Sequence, residues 1–262
     1  MARLLRRVLG QKESGSLEAR PCLLLGEGSS GKTSLLLAAA LSSSAEEGRG
    51  TLFISRSPLQ RLPESARDPL SLKKIHFVYP RSFEELLSLI AAMHENTKSS
   101  PSLIILNGMD RFLVGNNGPQ AAARLSALLV DTAAYFTDKL RSASRGLDDA
   151  SCCCHLIASM RLSPEETEGA QDRSLIERYF PVRCWMERDV SWHGTCAQED
   201  AIERYYRPRF SDSPEANLDT GHASNDKTWR VSAGSDGALM VSAMQSQGRV
   251  LIKSGKDLYP LF

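Results

Sequence analysis

Gly26-Glu27-Gly28-Ser29-Ser30-Gly31-Lys32-Thr33 is the stretch on which the reading of this chain turns. It matches G-x-x-x-x-G-K-[ST], in which the glycines let the backbone wrap closely and point its N–H groups at phosphate oxygens. Just before it, Cys22–Leu25 is a short apolar run that reads as a strand; just after it, Lys32–Leu41 reads as a helix. Strand before and helix after is the setting in which such a loop works, because the helix N-terminus adds the positive end of its dipole. In that setting Lys32 is expected to reach the β- and γ-phosphates of ATP, and the Thr33 hydroxyl to ligate Mg²⁺. All eight residues are candidate nucleotide-binding positions; the Glu27 side chain is expected to point to solvent.

Outward from the loop, apolar runs alternate with helical patterns. Thr51–Ser55 and Ile75–Tyr79 read as strands, and Leu103–Leu106 is continuously apolar, as in a strand buried on both faces of a parallel sheet. His155–Met160 and Arg183–Met186 are further strand candidates. Ser82 and Glu85 form a capping box ahead of Phe83, Leu86, Leu87 and Ile90, which share one helical face. Pro119 suits a helix start, with Leu125, Leu128, Leu129, Thr132 and Phe136 continuing one stripe. Ser174 and Glu177 read as a second capping box, with Pro181 stopping that helix. Strands alternating with helices give βαβ units, hence an α/β fold with a mostly parallel sheet.

Past Trp185 the pattern changes. Residues 188–226 are polar and read as a long insertion or linker, largely disordered. Thr228–Val231 and Leu239–Val241 flank Gly234-Ser235-Asp236-Gly237, which signals a β-hairpin at an antiparallel edge of the sheet. The expected organisation is an N-terminal tail over 1–20, one domain over 21–245 carrying the insertion, and a C-terminal tail over 246–262.

Composition narrows the class. Of the 262 residues, 42% are apolar and 24% charged, the balance of a globular chain rather than a collagenous, mucin-like or wholly disordered one. No apolar run approaches the ~20 residues of a bilayer span, so no membrane partner is expected. With 32 basic and 31 acidic residues the net charge is +1, so nucleic-acid binding would need a local patch. Six cysteines, three of them consecutive at Cys152–Cys154, suit neither a disulfide framework nor a C-x-x-C metal site, which points to a reduced intracellular compartment.

The phosphate loop needs a partner for Mg²⁺, ordinarily an acidic residue ending a buried strand. Here Leu103–Leu106 is followed by Asn107, which can accept a hydrogen bond from a metal-bound water but brings no charge. Thr33 and Asn107 are the candidate metal residues. Asp110 stands three residues on, either as partial compensation or as a loop or helix-cap carboxylate. Hydrolysis also needs a base or water-positioning group. After the second strand the chain reads Arg56-Ser57-Pro58-Leu59-Gln60, and the nearest acid, Glu64, follows Pro63 as a weak candidate against a solvated loop. The residues thus argue for ATP binding more strongly than for fast hydrolysis.

An ordered set of motifs goes further: the phosphate loop, Ser57-Pro58-Leu59-Gln60, Lys74–Pro80, Leu103–Gly108, Leu128–Ala134, Arg178-Tyr179-Phe180-Pro181, Cys184-Trp185 and the Trp229…Gly237 hairpin. Over about 21–187 and 228–241 the chain resembles the RecA-type core of the eukaryotic recombinase paralogues. More narrowly it resembles the RecA-like ATPases that pair with a SWIM-type zinc-finger protein in vertebrate Shu-type recombination complexes. The resemblance implies a RecA-like P-loop core and a nuclear protein promoting homologous recombination DNA repair. It also implies binding of ATP, of the SWIM-type zinc-finger protein, of the strand-exchange recombinase and its paralogues, and of single-stranded DNA, with weak DNA-stimulated ATPase activity. Two departures stand out. Asn107 replaces the family's Asp at the Mg²⁺ strand, and Ser159-Met160-Arg161 stands where RecA-type cores usually place a γ-phosphate-sensing amide.

Loops at about 141–150 and 161–174 are where RecA-like cores tend to meet DNA. They hold Arg141, Arg145, Arg161 and Arg173 but more acids than bases, so they form no electrostatic groove. Arg204-Tyr205-Tyr206-Arg207-Pro208-Arg209-Phe210 interleaves arginines with aromatics, as a single-strand contact does, or is simply part of a linker. Two readings compete with the recombination mediator: a non-catalytic scaffold stabilised by nucleotide, and a small P-loop kinase.

Overall fold

The computed structural model describes residues 20–45, 50–59, 69–95, 100–115, 118–143, 152–162, 169–189, 205–211, 228–233, 239–244 and 250–253. The elements run β1 (Cys22–Gly26), α1 (Lys32–Ala45), β2 (Thr51–Ser55), α2 (Pro69–Lys73), β3 (Ile75–Val78), α3 (Phe83–Ala92), β4 (Leu103–Asn107) and α4 (Asp110–Leu113). They continue α5 (Gly118–Ala143), β5 (His155–Arg161), α6 (Gly169–Tyr179), β6 (Val182–Arg188), β7 (Tyr205–Phe210), β8 (Thr228–Ala233), β9 (Leu239–Met244) and β10 (Val250–Lys253).

One sheet takes in all these strands, in the order β10-β9-β8-β7-β6-β1-β5-β4-β2-β3. From β3 to β6 every pairing is parallel; from β6 outward to β10 every pairing is antiparallel. The parallel half follows from the helical crossovers. It is buried on both faces, and its apolar runs show why they need no polar alternation. In β1, Cys22 and Leu24 join the cluster under α1, while Leu23 and Leu25 join the cluster under α3, α5 and α6. In β4, Leu103 and Ile105 divide from Ile104 and Leu106 in the same way, and all four are fully buried. Each such side chain contributes about 1.5–3 kcal/mol relative to exposure. The result is an α/β/α sandwich whose two cores lie on either side of β1, β5 and β4.

At α3 Ser82 caps the helix as the sequence indicates, the Glu85 amide donating to Ser82 Oγ at 3.1 Å, while Glu85 Oε2 accepts from the amide of the preceding residue, Arg81, at 2.7 Å rather than from that of Ser82. The second box does not form. Helix α6 begins at Gly169, which puts Ser174 mid-helix. Glu177 instead receives Arg173 at 2.8 Å and Arg183 at 3.0 Å. Two ion pairs replace the cap, although the helix does end two residues before Pro181.

The stretch read as a linker holds an ordered strand. β7 lies against β6 with Tyr206, Pro208 and Phe210 buried and the intervening residues outward. Pro208 is tolerated because the ladder to β8 pairs only Tyr205 and Tyr206. β8 and β9 pair antiparallel as the hairpin signal implies, and β10, within the expected C-terminal tail, extends the sheet beyond them. No helix among the described residues is long and apolar enough to cross a membrane.

Candidate functional site

The phosphate loop leaves β1 at Gly26, at the carboxyl edge of the parallel strands, and closes into α1 through the Leu35 amide bond to Gly31 O at 2.9 Å. Gly26 is fixed by packing, since a Cβ there would lie 2.9 Å from both Met186 Cβ and Ser30 Oγ. Ser29 (φ 59°) and Gly31 (φ 76°) are left-handed, and this alternation turns successive N–H groups toward one concave face. Glu27 is exposed and Ser30 buried. The Lys32 ammonium folds over the loop, donating to Gly26 O at 2.7 Å, to Ser30 Oγ at 2.9 Å and to Glu27 O.

Burial, chiefly, lowers the Lys32 pKa from 10.5 to about 8; the positive charges of Arg161 and Arg111 act in the same direction, while Asp110 and Glu27 oppose them. A partly desolvated ammonium held among carbonyls exchanges readily for phosphate oxygens, which carry more charge.

Beside the loop, strand register gathers a neutral polar cluster. Ser55 pairs with Asn107 across β2 and β4. The Thr33 hydroxyl donates to Asn107 Oδ1 at 3.2 Å, and Ser159 Oγ donates to the same oxygen at 3.2 Å. Asn107 Nδ2 reaches Ser55 Oγ at 3.4 Å, and Ser159 Oγ accepts the Gly108 amide at 2.9 Å. Thr33 and Asn107 therefore adjoin, although 74 residues separate them. A hydroxyl and an amide carbonyl are hard oxygen donors of the kind Mg²⁺ accepts, so the donor set fits that ion, without a carboxylate in the pair.

Asp110 opens α4 and its Oδ1 accepts the Arg161 amide at 2.9 Å. It thus ties the end of β5 to the turn after β4 and adds negative charge near Lys32. The Arg161 guanidinium packs on Gly28, where an added Cβ would lie 3.4 Å from Cζ and Nε. Arg111 packs over Gly108, and its carbonyl accepts from Arg56. Ser55 is a site neighbour that motif reading missed, while Ser159 and Arg161 belong to the stretch where RecA-type cores usually place a γ-phosphate-sensing amide; each ends or nearly ends a parallel strand.

The remaining candidates divide. Glu64, Arg145 and residues 163–168 of the loop at about 161–174 lie outside the described residues. In β7 the arginines are taken up by carboxylates: Arg209 by Glu187 at 3.2 Å and Arg207 by Asp189 at 3.4 Å. Tyr206 and Phe210 face the core. The stretch read either as a single-strand contact or as part of a linker is thus, over Tyr205–Phe210, a strand within the sheet, with Arg207 and Arg209 paired to carboxylates. Among the cysteines described, Cys22, Cys153, Cys154 and Cys184 are buried thiols.

A phosphate loop at the carboxyl edge of this sheet, with β5 between the loop strand and β4, defines a RecA-like nucleotide-binding ATPase. No family model matches the chain. It is 37% identical to ATPase SWSAP1 of Mus musculus, covering 98% of this chain and 87% of that protein. It is 36% identical to ATPase SWSAP1 of Homo sapiens, covering 87% of this chain and 90% of that protein. The chain belongs to the ATPase SWSAP1 family.

Proposed function

We propose that this protein is a nuclear ATP-binding mediator of homologous recombination DNA repair that acts with a SWIM-type zinc-finger protein and the strand-exchange recombinase. It binds single-stranded DNA and hydrolyses ATP slowly. The observation that carries the ATP-dependent part is the Lys32–Thr33–Asn107 arrangement, a complete phosphate loop beside a neutral partner. Family membership supports the recombination role, and the resemblance of the ordered motifs to SWIM-associated ATPases supports the partner.

The residues act in sequence. The loop N–H groups and the α1 N-terminus bind the phosphates. The Lys32 ammonium leaves its carbonyl acceptors for the β- and γ-phosphate oxygens. Thr33 and, through water, Asn107 would hold Mg²⁺, which neutralises phosphate charge when bound. The uncharged Asn107 leaves that neutralisation weaker than a carboxylate would, so turnover is slow while binding persists. That same residue favours the second reading, a scaffold in which nucleotide stabilises the fold and assembly carries the function. The pairing of the β7 residues Arg207 and Arg209 with carboxylates favours a DNA contact elsewhere on the protein.

Steady-state ATPase measurement with and without single-stranded DNA, against Lys32→Ala, tests the proposal. Slow, Lys32-dependent turnover stimulated by DNA supports the mediator; nucleotide binding with no turnover above Lys32→Ala supports the scaffold. Co-expression with the SWIM-type protein is expected to give a stable complex, and no co-purification would contradict the partner.

A further inference from the structure

At the edge of the sheet remote from the phosphate loop, the chain brings a thiol against an imidazole. β5 begins at His155, which pairs with Leu103 at the start of β4, whereas the loop leaves the other, carboxyl end of these strands. Cys153 Sγ lies 3.5 Å from His155 Nε2 and 3.9 Å from Nδ1. The backbone between them is pinned: the Cys154 amide donates to Thr137 Oγ1 at 3.0 Å, and the His155 amide donates to Ser102 O at 2.7 Å. The three consecutive cysteines therefore have different surroundings. Cys152 is half-buried, and Cys153 is 8% exposed beside a half-buried imidazole. Cys154 turns to the opposite face and joins Leu156 and Ala158 in the core under α3, α5 and α6. Burial, chiefly, pushes the Cys154 thiol up, and charge on Cys153 acts in the same direction, so Cys154 stays protonated and inert.

The thiolate, not the thiol, is the nucleophile, and an adjacent imidazole that accepts the proton generates it. We propose that Cys153 is an oxidative modification site, with His155 as its proton acceptor and hydroperoxides as the oxidant. The Cys153 proton passes to His155, and the thiolate sulfur attacks one peroxide oxygen, so that an S–O bond forms as the O–O bond breaks. Sulfur gives up two electrons and the peroxide gains them. The departing hydroxide or alkoxide then takes the proton from the imidazolium. The products are a sulfenic acid at Cys153, neutral His155, and water or an alcohol. Neighbouring thiols do not readily consume the acid. Adjacent Cα atoms lie about 3.8 Å apart, short of the roughly 4.4 Å that a disulfide spans at least, and Cys154 faces away. A small soluble thiol can cap the acid as a mixed disulfide, releasing water.

The full-length protein is treated with hydrogen peroxide in the presence of dimedone, which forms a thioether with sulfenic acids, and peptide fragmentation assigns the adduct among the three cysteines. Exposure alone would put Cys152 ahead of Cys153. The expected order is the reverse: Cys153 is labelled first, and Cys154 stays unlabelled in the folded protein. His155→Gln keeps a polar side chain but takes up no proton. It is expected to slow labelling of Cys153 about 10-fold, while labelling of Cys152 and the melting temperature stay unchanged. No adduct at Cys153, labelling led by Cys152 or spread evenly over the three, or a Cys153 rate unmoved by His155→Gln would overturn the proposal. Should His155→Gln fail to fold, the order of labelling in the wild type decides by itself.

Discussion

The Thr33 hydroxyl lies 3.2 Å from Asn107 Oδ1, joining the end of the phosphate loop to the end of β4. In this pair an amide stands where a carboxylate would bring charge to Mg²⁺. The hydroxyls of Ser55 and Ser159 flank the same amide and can rotate to donate to a carboxylate. Asn107→Asp is therefore expected to fold normally, to tighten Mg²⁺ roughly 10-fold or more and to raise turnover. Mg²⁺ titrations of ATPase activity check this, and equal midpoints and rates in the two proteins would remove Asn107 as the cause of slow hydrolysis.

The lowered Lys32 pKa sets a pH dependence. Phosphate oxygens favour the charged ammonium, so bound nucleotide raises this pKa above its value of about 8 in the free protein. Binding then takes up a proton between about pH 8 and the bound-state value, and ATP affinity falls as pH rises through that window. The slope approaches tenfold per pH unit for one coupled proton. Calorimetry at pH 8.5 in buffers of different ionisation enthalpy should detect proton uptake; proton release or none would contradict it. Without nucleotide the sign is the converse: the depressed pKa penalises the fold below about pH 8, and stability rises as pH increases from there toward 10.5.

A third prediction concerns the antiparallel half of the sheet. Arg230 of β8 meets Asp189 at 2.7 Å, with side-chain exposures of 4% and 2%. Arg207 joins the same carboxylate, and the Arg230 guanidinium lies 5.6 Å from the Tyr205 ring centroid. Removing the carboxylate strands a buried guanidinium, so Asp189→Ala should cost about 3–5 kcal/mol of stability. Chemical denaturation measures it; a loss under 1 kcal/mol would mean that the three strands are held by packing alone.

These particulars also show which parts of the molecule local sequence reveals. The loop between β1 and α1 is legible because phosphate binding constrains consecutive residues, and Leu103–Asn107 is legible because a strand covered on both faces must be apolar throughout. Ser55 beside Asn107, and the contacts of Ser159 with Asn107 and of the Arg161 amide with Asp110, are not, because they depend on which strands pair, a long-range choice without a local signature. Ser174 and Glu177 mislead because S-x-x-E is also an ordinary spacing within a helix, and Arg183, contributed by a different element, decides the matter. β7 escaped notice because its outward arginines resemble solvated charge until Glu187 and Asp189 are brought opposite them. Its buried alternation of Tyr206, Pro208 and Phe210 was the available clue.

The central claim, that nucleotide binds at Gly26–Thr33 through Lys32, is tested most directly by thermal unfolding of the wild type and Lys32→Ala with increasing Mg-ATP. A ligand that binds only the native state stabilises it by about 2.7 kcal/mol at a hundredfold excess over Kd. The wild-type melting temperature is therefore expected to climb with ATP while that of Lys32→Ala stays nearly flat. An equal rise in both proteins would place the nucleotide elsewhere, and no rise in the wild type would contradict ATP binding.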